Sequence, residues 1–182
     1  MAVVRPFKAL RPRKDLVERV ASLPYDVMDR KEAKLMAKGN PYSFLHIVRS
    51  EIDYPSSTDQ YDPKVYRKAR KNLRVFEDDG ILVQDKVPMI YIYRQIMDGR
   101  EQTGFVAVTS VDDYENNVIK KHELTRPDKE EDRKVLTRYL KANIEPVFFT
   151  YRAVPEIDKI VSEIVNNKKA RKNTGTELLY NL

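Results

Sequence analysis

The sequence has no cysteine and no tryptophan, and its 182 residues include only two histidines, His46 and His122. The missing thiols exclude disulfides, thiolate zinc sites, iron–sulfur clusters and cysteine nucleophiles together. Two imidazoles are too few for a multi-histidine metal centre. Glycine is scarce as well. Gly39, Gly80, Gly99, Gly104 and Gly175 are all there are, and none forms the G-x-G-x-x-G or P-loop spacing that cradles nucleotide phosphates. A chain that handles phosphate without those loops needs another device. No apolar run approaches the ~20 residues of a membrane span. Residues 1–6 offer no apolar signal core followed by a small-residue cleavage site. The expectation is a cytoplasmic protein with no membrane contact.

What is present is charge, 34% of residues, beside 41% hydrophobic residues. At about 100–200 residues per domain, this length predicts a single α+β domain over residues 1–182. Basic residues outnumber acidic ones 34 to 28, a formal charge of +6, with the signs interleaved along the chain. Interleaving predicts a solvated surface, because a nucleic-acid footprint gathers its cations on one face. The expected partner is therefore a small molecule and not a nucleic acid. Nothing in the sequence speaks to oligomeric state.

Periodicity and punctuation outline the elements. Residues 15–21 form a short helical candidate. A clear helix follows, with Asp29 as N-cap, Glu32 as its capping-box partner and Gly39 as terminator. Residues 43–49 read as a strand, with Phe44, Leu45, Ile47 and Val48 supplying its apolar content. Asp62-Pro63 opens another helix in which Val65, Tyr66, Ala69, Leu73 and Phe76 keep three- and four-residue steps, and Gly80 stops it. Residues 81–83 are a short strand. Residues 89–97 and 101–109 predict a hairpin about Asp98-Gly99, a pair suited to a type I′ turn. Residues 112–125 turn polar, and a charged helix runs from Arg126-Pro127-Asp128 through Lys141. Residues 146–151 read as an apolar strand buried on both faces. The last helix starts at Pro155 and carries Ile157, Ile160, Val161 and Ile164 inward. Residues 177–182 read as a strand without a following partner. Together these predict an α+β fold with a mixed, mainly antiparallel sheet, a central hairpin and flanking helices.

Three polar segments combine functional side chains with breaks in regular structure. In the first, Tyr25 and Asp26 sit in a loop before a helix, where Asp26 can act as a base or accept from a substrate amine; its alternative is a turn bonding local amides. The second carries Ser43, His46 and Arg49. On a strand, His46 shares a face with Phe44 and Val48, and Arg49 with Leu45 and Ile47, and a His and an Arg at a strand's C-terminal end suit an anion. The alternative is a core-satisfied histidine with an Arg49–Glu51 surface pair. The third, residues 119–133, is the densest titratable stretch. His122 and Glu123 suit acid–base catalysis, Thr125 can donate to a phosphate oxygen, and Lys129 and Arg133 lie four apart on one helical face. Glu130, Glu131 and Asp132 could bind magnesium or complement the helix dipole. The alternative is a solvated charged helix. No residue set is assigned as a metal site.

Several blocks are specific in wording: Arg5-Pro6-Phe7-Lys8-Ala9-Leu10-Arg11-Pro12, Leu23-Pro24-Tyr25-Asp26-Val27, Asn40-Pro41 with Ser43-Phe44-Leu45-His46, Arg49 with Glu51-Ile52-Asp53, Val111-Asp112-Asp113-Tyr114, Lys121-His122-Glu123 with Thr125, Lys129 and Asp132-Arg133, and Pro146-Val147-Phe148. In order from residue 5 to about residue 151, they resemble the family filed as domain of unknown function 1015. The resemblance implies that residues 1–182 are the N-terminal part of a longer architecture. Its further half carries an Asp-Gly-His-His-Arg-Tyr block similar to the phosphate-binding box of the ParB/sulfiredoxin superfamily, which includes free-serine kinases. It implies phosphoryl transfer to the hydroxyl of L-serine or a similar small molecule, with ATP, ADP or pyrophosphate as donor and Mg2+ on the phosphates. This sequence contains no such block, so the expectation includes a chain inactive by itself. The alternatives are a non-catalytic interaction or regulatory domain, or a ParB-like nucleic-acid-binding module. The latter calls for a helix-turn-helix or a clustered basic stripe, and neither is evident along the chain.

Overall fold

Local signals set most element boundaries, and the computed structural model describes residues 2–121, 124–167, 172–173 and 177–181. In chain order the elements are β1 (Val4–Arg5), β2 (Leu10–Pro12), α1 (Val17–Val20), a 3-10 turn at Tyr25–Val27, α2 (Arg30–Ala37), α3 (Leu45–Val48) and a second 3-10 turn at Ser50–Asp53. Then come α4 (Pro63–Asp78), β3 (Leu82–Gln84), β4 (Tyr91–Met97), β5 (Arg100–Val106), β6 (Val108–Thr109), α5 (Val111–Glu115), α6 (Pro127–Leu140), α7 (Pro155–Asn167), β7 (Lys172–Asn173) and β8 (Glu177–Asn181). The fold is α+β, with seven α-helices among the described residues. No helix among them is long and apolar enough to cross a membrane. The elements divide into two compact units, one built from Met1–Lys14, Gln84–Glu123 and Pro146–Leu182, the other from Asp15–Val83 and Leu124–Glu145.

The first unit is organised by an antiparallel sheet in the order β5-β4-β8-β7. Asp98 (φ 51°) and Gly99 (φ 76°) occupy the left-handed region, as a type I′ turn requires. They set the hairpin register from Tyr91 opposite Val106 to Met97 opposite Arg100. β8 pairs with the other edge of β4, Tyr91 opposite Asn181, so the C-terminal run has the partner that the sequence did not reveal. Val161, Ile164 and Val165 of α7 pack with Ile96 and Phe105 around the fully buried Ile92. Ile160, expected inward, is 51% exposed. At 100° per residue the stripe centres on Val161, Ile164 and Val165 and leaves Ile160 at its edge.

An N-terminal arm is tied to this sheet by one phenol. The Tyr91 hydroxyl donates to Asp85 Oδ2 (2.7 Å) and accepts from the Ala9 amide (2.9 Å). Arg11 pairs with Asp85 and lies over the Tyr91 ring, 4.9 Å from its centroid. Burial, with Asp85 beside it, raises the Tyr91 pKa, so the phenol stays protonated. Residues 146–151 form no strand, and Val147, Phe148, Phe149 and Tyr151 are exposed. Strand-like composition supplies propensity, whereas pairing and burial depend on a tertiary partner that no local pattern encodes.

The second unit is helical. Asp29 Oδ1 accepts from the Glu32 amide (2.9 Å) and Glu32 Oε2 from the Asp29 amide (2.7 Å), closing the capping box of α2. Asp62 caps α4 through the Lys64 amide, with Pro63 at the first helical position, and Val65, Tyr66, Ala69, Leu73 and Phe76 are buried as their spacing predicts. Gly39 (φ 75°) and Gly80 (φ 63°) follow α2 and α4 in left-handed conformations. The core joins Met28, Ala33, Ala37, Leu45, Val48 and Ile52, with Tyr25, Phe44 and Ile144 packed against it.

Residues 43–49 are not a strand. They enter α3 and then the Ser50–Asp53 turn. Phe44, Ile47 and Val48 satisfy helical spacing as well as an apolar strand does, an ambiguity of short apolar runs, and the helix buries Leu45, Ile47 and Val48. Ser43, buried, uses its Oγ to accept from the Leu45 amide at 3.4 Å. The polar stretch after residue 53 is shaped by Arg30, whose guanidinium donates to the carbonyls of Glu51 (2.6 Å), Pro55 (2.9 Å) and Thr58 (2.7 Å).

The sheet packing gives a direct test. Ile92→Ala is expected to cost about 2–5 kcal/mol, the range for emptying a buried aliphatic site. Ile160→Ala is expected to cost below about 0.5 kcal/mol, as at an exposed position. Urea unfolding of the two variants checks the assignment of the α7 face.

Candidate functional site

The helical unit contains a narrow cleft lined by Tyr25 from the first 3-10 turn, Arg49 and Glu51 around the second, and Lys129, Asp132 and Arg133 from α6. Its interior volume is ≈ 20 Å³, room for about one water-sized group. Helix periodicity puts Lys129 and Arg133 on the same wall, as their four-residue spacing predicts.

Arg133 is the most heavily used cation there. Its Nε lies 3.1 Å from Asp132 Oδ2, Nη2 pairs with the same carboxylate, and Nη1 stands 3.4 Å from both Glu145 oxygens. Its guanidinium carbon sits 4.1 Å from the Tyr25 ring centroid, a cation–π geometry. Asp132 also accepts from the Tyr66 hydroxyl at 2.7 Å; burial, then that contact with a carboxylate, drives the Tyr66 pKa far up. Burial likewise raises Tyr25 against the opposing pull of Arg133. Arg49 Nε lies 2.8 Å from Glu51 Oε1, although its N–H points off that line, while Nη1 donates to the Tyr25 carbonyl at 3.2 Å.

Two of the three cations lining the cleft are thus already matched by carboxylates. Lys129, half-buried, has no hydrogen-bond or ion-pair partner among the described residues. Glu145 was not singled out by sequence, yet burial raises its pKa despite Arg133, with Asp26 and Asp132 adding to the rise. A carboxyl moved towards neutrality in this way is a candidate acid–base group. Its sequence signal was slight: a lone acid before Pro146.

The remaining candidates separate. Asp26 is exposed, within electrostatic reach of Tyr25 and Glu145. Thr125 is exposed and donates to Glu130 Oε2 at 2.7 Å, so its hydroxyl is engaged away from the cleft lining. Glu130 also holds Lys134. No group of three metal-ligating side chains gathers among the described residues. His122 and Glu123 lie outside the described residues. His46 does not line the cleft. Its Nδ1 is 2.7 Å from Asp53 Oδ1 and its Nε2 is 3.2 Å from the Asn40 carbonyl. Asp53 in turn accepts from Asn72 (3.2 Å) and pairs with Lys68 (3.5 Å). Of the sequence candidates, Tyr25, Arg49, Lys129 and Arg133 thus line one cleft, and His46 stands apart from it.

The His46–Asp53 pair is a pH-dependent clasp. The hydrogen bond to Asp53 raises the His46 pKa above 6.5 against burial. Burial would raise Asp53, but His46 and Asn72 outweigh it and lower its pKa below 3.8. The His46 contribution is full below its unfolded pKa and is lost as pH rises through the raised folded value; the Asp53 contribution is lost as pH falls through its lowered one. His46→Gln is therefore expected to lower the unfolding temperature more at about pH 5.5 than at about pH 8.5. A penalty independent of pH would show that the imidazole does not titrate against Asp53.

No curated protein and no solved structure matches the chain. Residues 4–177 match the family described as protein of unknown function (DUF1015), which takes in the residues of the cleft and most of both units, and the chain belongs to that family.

Proposed function

We propose that the cleft holds a small hydroxyl-bearing zwitterion, with L-serine as the first candidate, and that this chain is the substrate-holding part of a phosphotransferase resembling the free-serine kinases. The observation that carries the reading is the state of Lys129. Among the described residues its ammonium has no carboxylate partner, in a cleft whose two arginines are each paired with a carboxylate, and the exposed Asp26 supplies negative charge nearby. A substrate carboxylate suits Lys129, and a substrate ammonium suits the acidic side. The small interior favours an amino acid seated at the mouth over a nucleotide enclosed within.

In the transfer, the serine Oγ forms a bond to the terminal phosphorus of ATP, ADP or pyrophosphate. The bridging oxygen leaves with the rest of the donor, and the hydroxyl proton passes to a base. Residue type alone nominates His122 or Glu123, which lie outside the described residues; within the cleft's own unit the candidate is Glu145, held beside Arg133, with its pKa raised by burial. Mg2+ would neutralise charge on the donor phosphates. The sequence lacks the Asp-Gly-His-His-Arg block, so this chain is expected to bind the amino acid without turning it over.

Calorimetric titration with L-serine and with phosphoserine tests the reading. Lys129→Ala is expected to weaken binding at least about tenfold, the loss of one charge-assisted contact, with the unfolding temperature unchanged. Absence of binding by either ligand, or binding undiminished in the variant, overturns it. In that case the exposed Val147, Phe148, Phe149 and Tyr151 favour the second reading, a non-catalytic interaction domain.

A further inference from the structure

Charge that looks evenly interleaved along the chain collects on one face of α4. Six of the chain's 34 basic residues, Lys64, Arg67, Lys68, Arg70, Lys71 and Arg74, fall within residues 63–76 and no acidic one does, which leaves 28 basic against 28 acidic elsewhere. These fourteen residues thus carry a charge equal to the formal net charge of the whole chain. Three of the six are engaged: Lys64 with Asp62 at 3.2 Å, Lys68 with Asp53 at 3.5 Å, and Arg70 with the Leu140 carbonyl at 2.7 Å. Arg67, Lys71 and Arg74 are exposed and have no ion-pair or hydrogen-bond partner among the described residues.

Their spacing of four and three residues places them within an arc of about 60° and along about 10 Å of the helix axis. Val65, Tyr66, Ala69, Leu73 and Phe76 occupy the opposite, buried side. Asp62 before the helix and Glu77, Asp78 and Asp79 at its end bound the stripe without entering it. Like charges at this spacing repel and weaken a helix, so the row costs the fold stability and returns none. A polyanion lying along it reverses the sign of that term.

We infer that this face of α4 docks on the sugar–phosphate backbone of a nucleic-acid duplex. A single strand is disfavoured because single-strand sites combine cations with aromatic platforms, and no aromatic residue stands among Arg67, Lys71 and Arg74. An anionic bilayer takes up helices with an apolar flank to insert, and here Val75 alone stands exposed beside the row. The contacts reach phosphates and not base edges, so binding is independent of sequence. This inference rests on α4 and not on the cleft, and its failure leaves the cleft reading untouched.

Fluorescence anisotropy with a labelled duplex of arbitrary sequence tests it. The affinity is expected to fall with salt at a logarithmic slope of about −3, near −0.9 for each of three phosphates. The triple variant Arg67→Ala, Lys71→Ala, Arg74→Ala is expected to lose about tenfold or more in affinity at low salt and most of the slope, with its unfolding temperature unchanged or raised as the like charges are relieved. A control removing the same charge elsewhere, Lys31→Ala and Lys34→Ala on the exposed face of α2 with Lys38→Ala just after it, is expected to keep most of both. Equal losses in the two variants would assign any binding to net charge and overturn the inference. So would a duplex affinity unchanged in the α4 variant, or binding to phosphatidylserine vesicles without binding to the duplex.

Discussion

The guanidinium of Arg133 is held by two carboxylates and an aromatic face at once, and the helical unit is arranged around that demand. A half-buried cation has to be matched by charge or by hydrogen bonds, or the desolvation it suffers goes unanswered. Asp132 supplies the adjacent charge from the same helix, Glu145 the charge from the segment after it, and the Tyr25 ring covers the open side. Tyr66, on α4, closes the set by donating to Asp132. One side chain thus fixes α6, the turn before α2 and the chain leaving α6 relative to each other. Lys129, one turn earlier on the same wall, has no such partner among the described residues.

Much of this skeleton was readable from local chemistry. The Asp29–Glu32 capping box, the Asp62-Pro63 start and the Asp98-Gly99 turn each rest on interactions within a few residues, and each is where it was expected. Residues 43–49 are helical and not a strand because four apolar residues within 44–48 satisfy both periods, and the core of Met28, Ala33 and Ile52 decides between them. Residues 146–151 form no strand for the complementary reason: propensity was present, and a pairing edge was not. The cleft was half legible. The four-residue step from Lys129 to Arg133 reports a shared helix face, whereas the aromatic partners gathered around it, Tyr25 on Arg133 and Tyr66 on Asp132, come from segments far apart in sequence.

The distribution of charge followed the same division between linear and spatial information. Counted over the whole chain, acids and bases are interleaved, and the acid-free basic run at residues 63–76 is diluted in the total. Folded into a helix, residues 63–76 present their bases on the solvent side because the apolar stripe of α4 claims the other. Loop shape obeys a further constraint. Arg30 spends its donors on backbone carbonyls and not on a carboxylate, so the stretch after the second 3-10 turn is set by a planar fork that a lysine ammonium could not imitate.

The order of strands in the sheet has a consequence for the nascent protein. β4 has β5 on one edge and β8 on the other, yet β5 ends at Val106 and β8 begins at Glu177. At ribosomal speeds of about 5–20 residues per second, the roughly 70 intervening residues take about 4–14 s to emerge. Throughout that interval β4 presents a row of unpaired amides and carbonyls, the template that mispairing and aggregation exploit. Completion of this unit is a late event of biosynthesis, and the hairpin must be shielded until β8 arrives.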